Sequence, residues 1–79
     1  MMVTTLDMLK EEDSAVVHAV LGGHGMRHRL ENLGVHPGDD VKVIRIGFLD
    51  GPVLIEIHGT RVAVGRGMAR KIEVEIEEK

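Results

Sequence analysis

From residue 41 onward the chain is written in short runs rich in β-branched residues, Val41 to Phe48, Val53 to Ile57, Arg61 to Val64 and Ile72 to Ile76, separated by glycine-containing breaks. Runs of this length, bounded by Gly and Pro, read as strands, because helices need longer periodic segments and suffer from frequent glycine. Gly51-Pro52 divides the first run from the second, and His58-Gly59 between Ile57 and Thr60 predicts a two-residue hairpin in which Gly supplies a positive φ. The last run places Ile72, Val74 and Ile76 on one face and Glu73, Glu75 and Glu77 on the other, which predicts one buried and one wet side.

Upstream, Ser14 to Leu21 carries Val16, Val17 and Val20 and predicts a first strand, ended by Gly22-Gly23. Between Gly25 and Gly34, Met26, Leu30 and Leu33 recur at i, i+4 and i+7, the spacing of one helical face, with Gly34 as the stop and Pro37-Gly38-Asp39 as the following turn. Leu6, Met8 and Leu9, ahead of the acidic Glu11-Glu12-Asp13, predict a short helical or irregular lead-in whose leucines cap the bottom of a core. About five short strands and one short α-helix in 79 residues are too few for an ordinary sandwich. They predict a mainly β fold, a small SH3-like β-barrel closed or nearly closed around one apolar centre, with residues 1–79 as a single domain. An OB-type barrel is the alternative, disfavoured by short strand spacing and missing ligand-face aromatics. The expected core is Val17, Leu30, Leu33, Val43, Val53, Ile55, Ile57, Val62, Val64, Ile72 and Val74.

Composition narrows the function classes. The chain has no Cys, which excludes disulfides, thiolate nucleophiles and thiolate metal sites and favours a cytoplasmic setting. Phe48 is the single aromatic residue, so stacking platforms for single-stranded nucleic acid are excluded. Net charge is −3, and the mildly basic middle, His24 to Lys71, is interleaved with acids instead of forming a basic stripe, so no nucleic-acid partner is expected. The N-terminus lacks a signal pattern, and no apolar run approaches the roughly 20 residues of a bilayer span, so neither export nor membrane insertion is expected.

Few residues carry chemistry. Ser14 is the only serine, beside Asp13 and four residues before His18, and no nucleophile-elbow frame surrounds it, so no enzymatic activity is expected. Gly22-Gly23-His24-Gly25 and Gly65-Arg66-Gly67 fit neither a P-loop nor a dinucleotide fingerprint and read as turns. Five histidines offer more. On a helix, His24, His28 and Glu31 fall within about 60° of one another, opposite the apolar stripe, and would supply two imidazoles and a carboxylate to a divalent transition metal such as Fe(II) or Zn(II). The plainer account makes them the solvated side of an amphipathic helix, and Gly25 weakens the metal case by leaving His24 in the preceding loop if the helix starts after it. His18 reads as a sheet-face residue and His58 as a turn residue.

The ordered set Gly22-Gly23, Arg29-Leu30, Leu33-Gly34, Pro37-Gly38, Gly51-Pro52, Gly59, Ala69, Ile72 and Val74 resembles FeoA-domain proteins from about Leu6 to Val74. The resemblance implies an SH3-like domain, also similar to the C-terminal module of DtxR-type metal-dependent repressors. It further implies a cytoplasmic accessory to a FeoB-type ferrous-iron transporter, with no required cofactor. In that reading the Gly22 to Leu33 loop and helix form the docking area, with Arg27 and Arg29 meeting acidic groups on the partner. The competing expectation is a stand-alone metal-binding sensor or carrier using His24, His28 and Glu31. A homo-oligomer is compatible with both.

Overall fold

The computed structural model describes residues 1–77. Six strands form one antiparallel sheet: β1 (Met2–Thr5), β2 (Ser14–Val20), β3 (Asp40–Ile46), β4 (Val53–Ile57), β5 (Thr60–Val64) and β6 (Ile72–Ile76), in the spatial order β1-β6-β2-β3-β4-β5. A 3-10 turn (Leu6–Met8) follows β1, helix α1 (His24–Asn32) links β2 to β3, and a single helical turn, α2 (Arg66–Ala69), links β5 to β6. The mainly β, SH3-like class expected from the sequence is the one observed, with three corrections.

The sheet has six strands instead of five, because Met2–Thr5 pairs along its length with β6, Met2 opposite Ile76 and Thr5 opposite Glu73. Val3, Thr4 and Thr5 are β-branched, but the run is too short to read as a strand alone; a partner more than 65 residues away in sequence pairs with it. The sheet is also open. Among the described residues, β1 and β5 are its two edges and do not pair with each other. Across the gap the 3-10 turn and α2 pack together, with Leu6 and Ala69 buried and the Arg66 guanidinium donating to the Asp7 carbonyl at 3.5 Å. Finally, α2 occupies a stretch that reads as a turn. Its glycine lowers helix propensity, yet the amides of Ala69 and Arg70 close onto the carbonyls of Gly65 and Arg66, and burial of Ala69 holds the turn in place.

One contiguous core fills the sheet's inner face, built from Val17, Leu30, Val43, Val53, Ile55, Ile57, Val64, Ile72 and Val74 as expected, joined by Leu6, Leu9, Ala15, Val35, Val41 and Ala69. Val62, expected inside, is half-buried and packs against the rim of this cluster. Leu33 is the clear miss at 42% exposed. The helix ends at Asn32 in a Schellman motif: Gly34 takes φ +87°, its amide donates to the Glu31 carbonyl at 2.9 Å, and the Val35 amide donates to the Leu30 carbonyl at 3.0 Å. That closure swings the chain back so that Val35, not Leu33, packs beside Leu30.

The β4–β5 hairpin has the expected two-residue turn, with positive φ at both His58 (53°) and Gly59 (74°) and Ile57 opposite Thr60. The run expected to extend to Phe48 stops at Ile46. Beyond it the Gly47 amide donates to the Pro52 carbonyl at 2.8 Å, and a side chain at Gly47 would meet the backbone of Gly51 and Pro52 at 2.7 Å.

Replacing Leu30 by Ala is expected to cost about 2–5 kcal/mol, the range for a large core truncation, whereas Leu33→Ala is expected to cost under about 0.5 kcal/mol, as for an ordinary surface change. Urea unfolding of the two variants beside the parent checks the pair, and equal losses would contradict the Schellman register.

Candidate functional site

Helix α1 and its entry loop sit on the sheet as an exposed unit. Gly22 reaches φ +107°, where the sulfur of Met26 lies 3.3 Å from the position a Cβ would take, and Gly23 is the N-cap. The helix begins at His24, so both histidines are on it. Met26 and Leu30 turn inward, and the other residues of the helix are exposed.

The i, i+4 spacing brings His24 and His28 together: their rings stand 15° from parallel with centroids 6.3 Å apart. Glu31 does not complete a ligand set with them, and among the described residues no group of three His, Asp or Glu side chains is arranged to hold a metal ion. Glu31 instead borders, with Arg27 one turn earlier, a small recess of about 170 Å³ whose walls are Ala19, Val20, Val35 and Pro37. Arg27 and Arg29, both expected to meet acidic groups on a partner, are two residues apart on a helix and so leave it about 200° apart around its axis. Arg27 flanks the recess, and Arg29 lies in the last turn, where a cation complements the helix dipole.

A second polar cluster lies where β3 begins beside the β4–β5 hairpin. Asp39 is its centre, with a side chain only 15% exposed. One carboxylate oxygen accepts the His36 backbone N–H at 2.8 Å and lies 3.5 Å from His36 Nδ1, while the other is 3.0 Å from His58 Nε2. Burial pushes the Asp39 carboxyl upward, but the His36 amide, the hydrogen bond with His58 and the attraction of both imidazoles outweigh it, and the net shift is downward. His58 was expected only to turn the chain; here it ties the hairpin tip to the turn before β3. No local pattern announces this contact, since 19 residues separate Asp39 from His58.

Beside this cluster an open groove of about 920 Å³ crosses the ends of β2, β3, β4 and β6, lined by Asp13, Asp40, Glu56, Glu75, Lys42 and His58. Lys42 pairs with Glu12 at 3.2 Å. His18 sits at the bulge where the β2–β6 register shifts between Val17 and Ala19, which places its Nδ1 2.6 Å from Glu75 Oε1. Ser14 also lines the groove.

Comparison with known proteins places these features in a family context. The FeoA domain model matches residues 4–76. A candidate Fe(2+) transport protein A of Methanocaldococcus jannaschii is 40% identical over 70 residues, covering 89% of this chain and 83% of that protein. The crystal structure of an iron uptake regulatory protein, FeoA, superposes with a TM-score of 0.86 at 33% identity, covering 95% of this chain and 97% of that one. The structure of IdeR from T. acidophilum, 18% identical with a TM-score of 0.85, shares the fold over 98% of this chain and 35% of its own.

Because the folded-state pKa of Asp39 is depressed, its contribution to stability is complete above the ordinary carboxylate value of about 3.9 and is lost as pH falls through the lower folded value. Asp39→Asn, which keeps an acceptor for the His36 amide, is expected to have a lower urea midpoint than the parent at about pH 7. The two midpoints are expected to converge as pH is lowered toward about 2. A midpoint difference unchanged across that range would remove the charge of Asp39 from the account.

Proposed function

Because the chain belongs to the FeoA-domain family, we propose that it is a small accessory protein of ferrous-iron uptake, working in the cytoplasm by docking on a FeoB-type transporter rather than by catalysis. The observation that supports this most directly is the form of α1. A rigid sheet and a complete core hold out a nine-residue helix of which only Leu30 is fully buried. Its exposed surface is rich in basic and imidazole groups: His24, Arg27, His28 and Arg29 against Glu31. Such a face meets an acidic partner surface, and arginine binds carboxylates through two parallel N–H bonds. Docking of this kind needs no resident cofactor, and the ferrous ion is the cargo of the partner.

A second reading, a stand-alone metal-binding sensor or carrier, draws on the near-parallel His24 and His28 rings. Two imidazoles one turn apart supply two ligands, and the remaining positions would have to come from water, Glu31 in another rotamer or a second copy.

The docking reading predicts that a double Arg27→Glu, Arg29→Glu variant folds like the parent by far-UV circular dichroism yet fails to restore transporter-dependent iron uptake to cells lacking the native protein. Full restoration overturns α1 as the docking surface. The metal reading is checked by thermal unfolding with Zn(II) or Fe(II). Binding to the native state with the metal at 100 times its dissociation constant adds about 2.7 kcal/mol, and each kcal/mol raises the midpoint of a domain this size by about 4–8 °C. A rise of that size abolished by His28→Ala would favour the sensor or carrier.

A further inference from the structure

The open sheet leaves β5 as a free edge. Its register against β4 is unbroken, from Ile57 opposite Thr60 to Val53 opposite Val64, with no bulge and no proline. Residues that flank a two-residue turn bond to each other, and bonded pairs then alternate with unbonded ones. Thr60, Val62 and Val64 therefore exchange hydrogen bonds with β4, while the N–H and C=O groups of Arg61 and Ala63 point away from the sheet. Among the described residues no turn, loop or other element donates a backbone hydrogen bond to either or accepts one from it, and Thr60, Arg61 and Ala63 are exposed. An edge with free, regularly spaced backbone groups is a template for one more strand.

The side chains beside this edge define what that strand carries. Pleating turns Val62 and Val64 toward the core and Arg61 and Ala63 toward solvent. Val64 is buried and Val62 is half-buried at the rim of the core cluster, so an added strand meets an apolar surface on its inner face and a cation on its outer one. Glu56 stands opposite Arg61 on β4, yet Arg61 forms no ion pair among the described residues. Arg66, two residues beyond β5, is also underused: among the described residues its Nε–H is buried without an acceptor, and its Nη1 reaches the Asp7 carbonyl only at 3.5 Å. An unpaired guanidinium on the edge and a second with spare donors at its end are matched by carboxylates. A second copy is a poor occupant, because antiparallel pairing of β5 with itself about Arg61 or Val62 sets two guanidinium groups side by side on one face.

We propose that β5 receives an extended segment of a partner polypeptide in which apolar and acidic residues alternate. The backbone of Arg61 and Ala63 supplies the ladder, Val62 packs against the apolar residues of the segment, and Arg61 and Arg66 select its acidic ones. The ladder is short, so the contact is weak and reversible by itself and gains strength where the segment is tethered to a second contact. This inference uses no residue of α1 and survives if docking through that helix fails.

The probe is a capped peptide of alternating Val and Glu, about six residues long like an ordinary strand, added to the isotope-labelled full chain up to about 1 mM, a range suited to weak contacts. Resonance shifts should centre on Thr60 to Arg66, and amide exchange at Arg61 and Ala63 should slow at least about tenfold in the bound state. The same peptide with Lys in place of Glu should bind at least about tenfold more weakly. Ala63→Pro removes one outward N–H and leaves the ladder to β4 intact, a position where an edge strand tolerates proline; it should melt like the parent and also bind at least about tenfold more weakly. Arg61→Glu, which does not touch the backbone, should move the preference toward the Lys peptide and keeps the test open if the proline variant folds poorly. The double Arg27→Glu, Arg29→Glu variant should bind the Glu peptide like the parent, which separates this edge from α1. Shifts that are absent or centred on α1, equal binding of the Glu and Lys peptides, or undiminished binding by a folded Ala63→Pro each overturn the proposal. Exchange at Arg61 and Ala63 that slows with protein concentration alone overturns it as well, because a second copy is then the occupant.

Discussion

Insertion of β6 between β1 and β2 is the pairing on which the remaining structure rests. It joins the two ends of the chain to the middle, Val74 facing both Thr4 and Val17, and it sets Ile72 and Val74 in the centre of the core. Its flanking glutamates are half-buried in consequence, since a strand with neighbours on both sides has little free surface, and Glu75 is near enough to bond His18. The connection just before it is also fixed: the Leu21 amide donates to the Lys71 carbonyl at 2.6 Å, so the end of β2, and with it the entry to α1, is anchored to the start of β6.

With the sheet held in this way, its two ends are free to differ. At one end a half-buried carboxylate and two imidazoles tie the β4–β5 hairpin to the turn before β3, beside an acid-lined groove. At the other a strained hairpin holds Phe48 and Leu49 in solvent. Helix α1 lies across a third region, buried through Leu30 and partly through Met26, and leaves its charged residues available. A small domain with one compact core has little interior left for a catalytic cleft, and its variable chemistry sits on the connections.

The candidate site was legible in the sequence only as far as helical periodicity reaches. Spacing of four residues placed His24 beside His28, because i and i+4 share a helical face whatever the rest of the chain does. The same wheel extended to Glu31 gathers no group of three metal-holding side chains among the described residues. Glu31 lies beside Arg27 at a recess built by β2 and the loop after the helix, and residues two apart on a helix, such as Arg27 and Arg29, diverge. Leu33 fell outside the core because the end of a helix is set by its cap and by what packs next to it, not by the apolar period that precedes it.

By itself the sequence determined the local geometry: the glycine-punctuated strands from Val41 onward, the His58-Gly59 turn, the helix stop at Gly34 and the alternation that buries Ile72 and Val74. Each depends on backbone freedom or side-chain period within a few residues. Only the tertiary structure decided that Met2–Thr5 is a strand, that the sheet stays open with the 3-10 turn and α2 across the gap, and that Asp39 meets His58. Those outcomes come from pairing and packing between residues far apart in the chain, where weak local preference yields to a partner that satisfies backbone hydrogen bonds and buries apolar surface.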